Sequence, residues 1–105
     1  MAGPDRMVCR TPTPGKQPCR IDKWKFDLVS AAILASVPRT AAGIEAREIP
    51  ALVRQHLSSA ESENLGSVGW YTTTVRLELE VAGKLHRLAG RGPLRVTRRR
   101  PPATG

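Results

Sequence analysis

The sequence predicts a mainly α-helical domain with a small β-hairpin: a winged helix-turn-helix of three helices and a two-stranded wing over residues 20–98. Three observations predict it. Apolar residues recur at helical spacing in three successive stretches. The period changes after Gly83, a residue suited to closing a helix in the left-handed conformation. Two short alternating runs then flank Gly90-Arg91-Gly92-Pro93, as in a hairpin.

The first helix is expected to begin at Asp22, whose carboxylate can cap an orphan N–H. Ile21 and Phe26 stand where a hydrophobic staple would form. Ile21, Trp24, Leu28, Val29, Ala32 and Ile33 form a broad apolar face, so Trp24 and Phe26 are expected in the core. Pro38 disfavours helical geometry at Val37 and should stop the helix there.

Ile44 can add a very short strand. The second helix is expected over residues 46–57, with Ile49, Leu52, Val53, His56 and Leu57 as its stripe and Pro50 tolerated in its first turn. Residues 58–66 read as a polar link. Ser67 is a natural N-cap for a third helix over residues 68–82. On a helical wheel, Val68, Tyr71, Val75, Leu79 and Ala82 lie on one side, and Trp70, Thr74, Leu77 and Val81 nearly opposite. Two apolar faces imply a helix clamped between two sets of neighbours. Its polar arc is then Gly69, Thr72, Thr73, Arg76 and Glu80.

A chain of 105 residues suits one domain. Residues 1–19 read as a disordered, basic, Pro-rich arm and residues 99–105 as a disordered basic tail. The net charge of +8 is uneven: +4 over residues 1–25, −3 over 26–80 and +7 over 81–105. Such asymmetry points to a polyanion, nucleic acid being the usual one. Thirteen of the 17 basic residues are Arg, which a GC-rich coding bias would also give, so charge alone does not assign a partner.

Cys9 and Cys19 both fall in the arm and form no Cys-x-x-Cys pair. His56 and His86 sit in separate elements, so no zinc site, other metal or cofactor is expected. A disulfide is expected only in an oxidising compartment. Without an apolar signal core or a run of ~20 apolar residues, neither export nor membrane insertion is expected, and the cytoplasm is the default location. No paired carboxylates, supported Cys–His or Ser–His arrangement, or phosphate-binding glycine loop occurs. No catalytic residues are therefore assigned.

The third helix and wing carry a resemblance. Residues 21–27 (Ile-Asp-Lys-Trp-Lys-Phe-Asp), Ala32-Ile33-Leu34, Gly69-Trp70-Tyr71, residues 75–83 and Pro93-Leu94-Arg95 resemble a family of small bacterial proteins of unknown function with a winged-helix-like fold. The resemblance spans about residues 20–97 and implies one domain. The family pattern more often has Gln at 76, Asp at 78 and a basic residue at 82, where this chain has Arg76, Glu78 and Ala82.

Two functions are open. As a DNA-binding module, the third helix would offer Ser67, Thr72, Thr73 and Arg76 to the major groove. Arg87, Arg91 and Arg95 of the wing, with Arg98, Arg99 and Arg100, would meet phosphates of double-stranded DNA. As a protein-interaction or structural domain, it would present Glu61, Glu63, Glu78 and Glu80 to a basic partner. No dimerisation helix is added, which leaves a monomer or a pair formed through the arm.

Overall fold

A computed structural model describes residues 5–13 and 15–100. The expected tail beyond Arg100, the first four residues of the arm and Pro14 lie outside the described residues.

The arm is the first correction. Strand β1 (Arg6–Cys9) pairs antiparallel with β2 (Cys19–Asp22), Met7 opposite Ile21 and Cys9 opposite Cys19. Inward-facing Cys9 and Ile21 are buried, while Arg6, Val8 and Arg20 face out. This is the period-two pattern of a half-buried ladder, confined to strands of four residues between prolines and glycines. The folded unit therefore takes in Arg6–Cys9 and Cys19, part of the stretch assigned to disorder.

Helix α1 (Lys23–Ser36) starts and stops as expected. Asp22 is its N-cap residue, but its carboxylate makes no capping bond and instead lies 3.3 Å from Arg6. The Val37 N–H donates to Ile33 O and closes the helix before Pro38. Val29, Ala32 and Ile33 are buried, and Phe26 packs against them half-buried. Trp24 is not in the core: it lies about 140° round the helix from Val29 and is 45% exposed.

Strand β3 (Ile44–Glu45) leads through a 3-10 turn (Ala46–Glu48) into α2 (Ile49–Gln55), shorter than the expected second helix. His56 is exposed at its C-cap and is no part of the apolar stripe. The expected polar link contains a helix, α3 (Ser59–Leu65), held by a capping box: Ser58 Oγ accepts from Glu61 N–H, and the Glu61 carboxylate accepts from Ser58 N–H. The described chain thus has four α-helices, not three.

Helix α4 (Val68–Val81) begins on Ser67, whose hydroxyl accepts from Trp70 N–H. It ends just before Gly83, which has φ +79°. Val68, Thr72, Val75 and Leu79 form its buried stripe at helical spacing. The second apolar face is only partly covered: Thr74 and Leu77 are half-buried against the N-terminal hairpin, while Trp70 and Val81 are exposed.

Strands β4 (His86–Leu88) and β5 (Arg95–Thr97) form the expected hairpin. β5 also pairs with β3, giving an antiparallel sheet of order β3-β5-β4. One core joins the parts: Ile33, Ile49, Val53, Leu65, Val75, Leu79, Leu85 and Val96 are all buried within it. No helix of the described residues is long and apolar enough to cross a membrane.

Candidate nucleic-acid interface

Helix α4 offers a partner less than its sequence suggests. Thr72 is 1% exposed and its hydroxyl has no hydrogen-bond partner among the described residues, so it belongs to the core and not to a polar arc. It stands about one helical turn above Val68 and one below Val75, on the line that faces the other helices. Arg76 is also withdrawn: its guanidinium bonds the Glu80 carboxylate one turn on, with only 12% of the Arg76 side chain exposed. Arg87 bonds the other oxygen of the same carboxylate from β4. Glu80 thereby ties α4 to the hairpin and offsets one of the two positive charges that the arginines bring. Only Ser67 and Thr73 of the expected helical contacts stay exposed, and the Ser67 hydroxyl is committed to capping.

Glu78 is not an exposed acid either. Only 2% of its side chain is exposed, and Arg10 meets it with its backbone N–H, Nε and Nη2 at 2.8, 2.9 and 2.7 Å. The Arg10 side-chain bonds hold its carboxyl below the usual glutamate range, against the opposing pull of burial. A depressed folded-state pKa contributes stability above the ordinary glutamate value, about 4.3, and that contribution disappears as pH falls through the folded value. Wild type should therefore be more stable than Glu78→Gln at pH 7, with the gap closing below about pH 4. Urea unfolding of both proteins from about pH 7 to about pH 3 measures this. A gap that does not change with pH would refute the role given to the Arg10 bonds.

The hairpin arginines divide by position. Arg91 stands exposed in the turn, about 10 Å from the base of a ladder three residues long. Arg95 is exposed, yet its Nε and Nη2 donate to the carbonyls of Ala42 and Gly43, which fastens it to the chain before β3. Arg98 Nε donates to Val37 O at the end of α1, a cation at a helix C-terminus. The Arg99 N–H donates to Thr97 Oγ1, leaving its side chain exposed.

At the base of the hairpin the remaining cations converge. The register sets His86 opposite Thr97, so the chain leaving β5 runs back beside the chain leaving α4. Arg98 N–H donates to Pro38 O, and the Thr97 hydroxyl shares its one hydrogen between Thr40 O at 2.6 Å and Pro38 O at 3.1 Å, drawing in the loop after α1. The result is a cleft of about 560 Å³ bordered by Arg39, Lys84, His86, Arg98 and Arg100, with apolar Leu34 and Ala82 and, among the described residues, no carboxylate. Arg98 and Arg100 are among the residues the sequence offers to a polyanion. Arg39 and Lys84 are not singled out by the sequence, where each is a lone cation just past the end of a helix. This cleft lies at the C-terminal end of α4, about 20 Å from Ser67 by helix length.

The expected interface is thus two separate surfaces. One is the nearly uncharged N-terminal half of α4, and the other is the cationic cleft at the far end. Among the described residues no group of three or more His, Cys, Asp or Glu could hold a metal ion. The sequence profile of a family of unknown function, DUF6958, matches residues 6–96. No curated protein and no solved structure matches the chain.

Proposed function

The chain belongs to this family of unknown function, DUF6958, and from that premise we propose a winged-helix-like module that holds duplex DNA by its phosphate backbone. The element order supports the architecture: helix, short strand, further helices, then a hairpin whose second strand lies between its partner and the early strand. The observation that carries the binding role is the cleft at the hairpin base. Arg39, Lys84, Arg98 and Arg100 line it, with no acid among the described residues that border it. Backbone phosphates are the chemistry such a surface fits, and contacts to them carry no sequence information. With Arg76 held by Glu80 and Thr72 buried, α4 has little with which to read base edges.

Fluorescence anisotropy with a random-sequence duplex, titrated with salt, tests the reading. Affinity on the order of 10⁻⁴–10⁻⁶ M at physiological salt is expected, strengthening as salt falls. Replacing Arg39, Lys84 and Arg100 together by Ser should weaken binding to all sequences alike. It should flatten the salt slope by about 0.9 for each phosphate that is no longer neutralised. The reading fails if no binding is detected at low salt, or if the triple variant binds as wild type does.

One observation favours a second reading, a protein-docking domain. Trp24 and Trp70, on the adjacent helices α1 and α4, are 45% and 51% exposed. Indole rings left this open on a small domain are typical anchors for a protein partner.

A further inference from the structure

Away from the cationic cleft, a groove of about 390 Å³ runs between the N-terminal hairpin and α4. Cys9 and Cys19 both border it, with Trp70 and Leu77 of α4 on the other side. Both cysteines are free. They are also direct partners across the β1–β2 ladder. Residues opposite each other in an antiparallel pair have Cα atoms about 4.5 or 5.5 Å apart. A disulfide requires roughly 4.4–6.8 Å. The Cα spacing of either kind of ladder pair falls in that range, and the facing Cβ atoms, about 4.5–5.5 Å apart, need to close by only about 1 Å to reach the separation a disulfide takes.

We propose that Cys9 and Cys19 are a thiol oxidation site, closing a cross-strand disulfide by exchange with a small-molecule disulfide such as that of glutathione. Their exposure sets the order of events. Cys19 is partly exposed, whereas Cys9 is 3% exposed. The Cys19 thiolate attacks one sulfur of the small disulfide, expelling one thiol and leaving a mixed disulfide on Cys19. The Cys9 thiol then loses its proton, its sulfur attacks the Cys19 sulfur, and the second small thiol departs. Two protein thiols are oxidised by two electrons, and one small disulfide is reduced to two thiols. Burial above all, with the charges of Cys19 and Glu78, pushes the Cys9 thiol up to about 11 in the reduced protein, and its burial still opposes the loss of its proton once Cys19 carries the adduct.

The location gives the bond a structural consequence. Arg10, next to Cys9, makes three hydrogen bonds to buried Glu78 of α4. A bond across the hairpin would fix β1 to β2 immediately beside the point where the hairpin is fastened to α4. In a reducing compartment the same pair persists as thiols.

The test uses the full reduced chain equilibrated with mixtures of oxidised and reduced glutathione, folded and in urea. Acid quenching, intact mass and free-thiol counts identify the product. A monomer lighter by two hydrogens, without a glutathione adduct, is expected. The native pairing should make its equilibrium constant larger in the folded chain than in urea by on the order of tenfold to a hundredfold. Cys9→Ser should stop at the glutathione adduct on Cys19, and Cys19→Ser should leave Cys9 unreacted over the same period. If Cys9→Ser does not fold, Cys19→Ser and the wild-type equilibrium still decide. A persistent adduct on wild type, disulfide-linked dimers, or equal constants in the two states would overturn the proposal.

Discussion

Leu79→Ala is expected to destabilise the domain by about 2–5 kcal/mol, read as a lower urea midpoint at neutral pH. Leu79 is 2% exposed and lies in the buried stripe of α4, about one turn after Val75 and two after Thr72. Helix α4 packs on both α1 and α2, so the truncated side chain leaves a cavity between elements that cannot all close over it. The backbone adds a second reason. Leu79 O accepts from both Lys84 N–H and Leu85 N–H where the helix turns into the hairpin. Leu85, 1% exposed, is in the same core. A loosened Leu79 therefore also loosens the start of β4 and the position of Lys84 in the cleft. Domains of this size have total stabilities of about 5–15 kcal/mol, so the variant should have a visibly larger unfolded population. Leu77→Ala, at a half-buried position, should cost less than half as much. Equal costs would mean that the faces of α4 are wrongly assigned.

Those faces show what a sequence can and cannot convey. Val68, Val75 and Leu79 were legible because large apolar residues at helical spacing have few alternatives to burial. Thr72 and Glu78 were not, because wheel geometry had to compete with their polarity. Thr72 lies on the buried line with Val68 and Val75, and position prevailed over chemistry. Glu78 is buried because Arg10, 68 residues earlier, supplies three donors. No local pattern announces so distant a partner. The N-terminal hairpin was hidden for a related reason. Its strands have four residues each, and the ladder exists only when Met7 and Cys9 are set opposite Ile21 and Cys19. Helix α3 was missed despite a local signal. Ser58-Ser59-Ala60-Glu61 is a capping-box sequence, and the acidic, serine-rich composition around it obscured the start of a helix.

The candidate site was legible as charge and not as geometry. The excess of arginine after Val81 was plain, and it does lie on the hairpin and the chain beyond it. Its division was not plain. Glu80 pairs with both Arg76 and Arg87 and offsets one of their two charges, and the carbonyls of Ala42, Gly43 and Val37 engage Arg95 and Arg98. Arg39 enters the cleft only because Thr97 and Arg98 draw the loop after α1 against β5. Long-range hydrogen bonds decide which cations face outward together.

The same loop supplies the second large effect. Gly43→Ala is expected to cost about 2–4 kcal/mol, combining left-handed backbone strain with a clash in a packed interior. Gly43 has φ +58°, and a Cβ built there would lie 2.2 Å from Val96 O and 2.8 Å from Val96 C. These are backbone atoms of the central strand, in the residue that pairs with Ile44. They cannot move aside as the end of a side chain could, so relief requires β3 to separate from β5. Gly83→Ala is the matched control. Gly83 has φ +79° but open space around the site of a Cβ, and should show only the conformational penalty of roughly 1–2 kcal/mol. The difference between the two variants isolates the close approach of the backbones. Hydrogen exchange should locate it: the Ala46 amide, which donates to Leu94 O beside the β3–β5 pair, should lose protection in Gly43→Ala and keep it in Gly83→Ala. Equal costs, or an Ala46 amide that stays protected, would mean that β3 does not depend on this close approach. If β3 does separate, the Arg39 loop loses its anchor at the β3 end and rests on the Thr97 and Arg98 bonds to Pro38 and Thr40. DNA binding should then weaken and its salt slope flatten in a variant that has lost no charge.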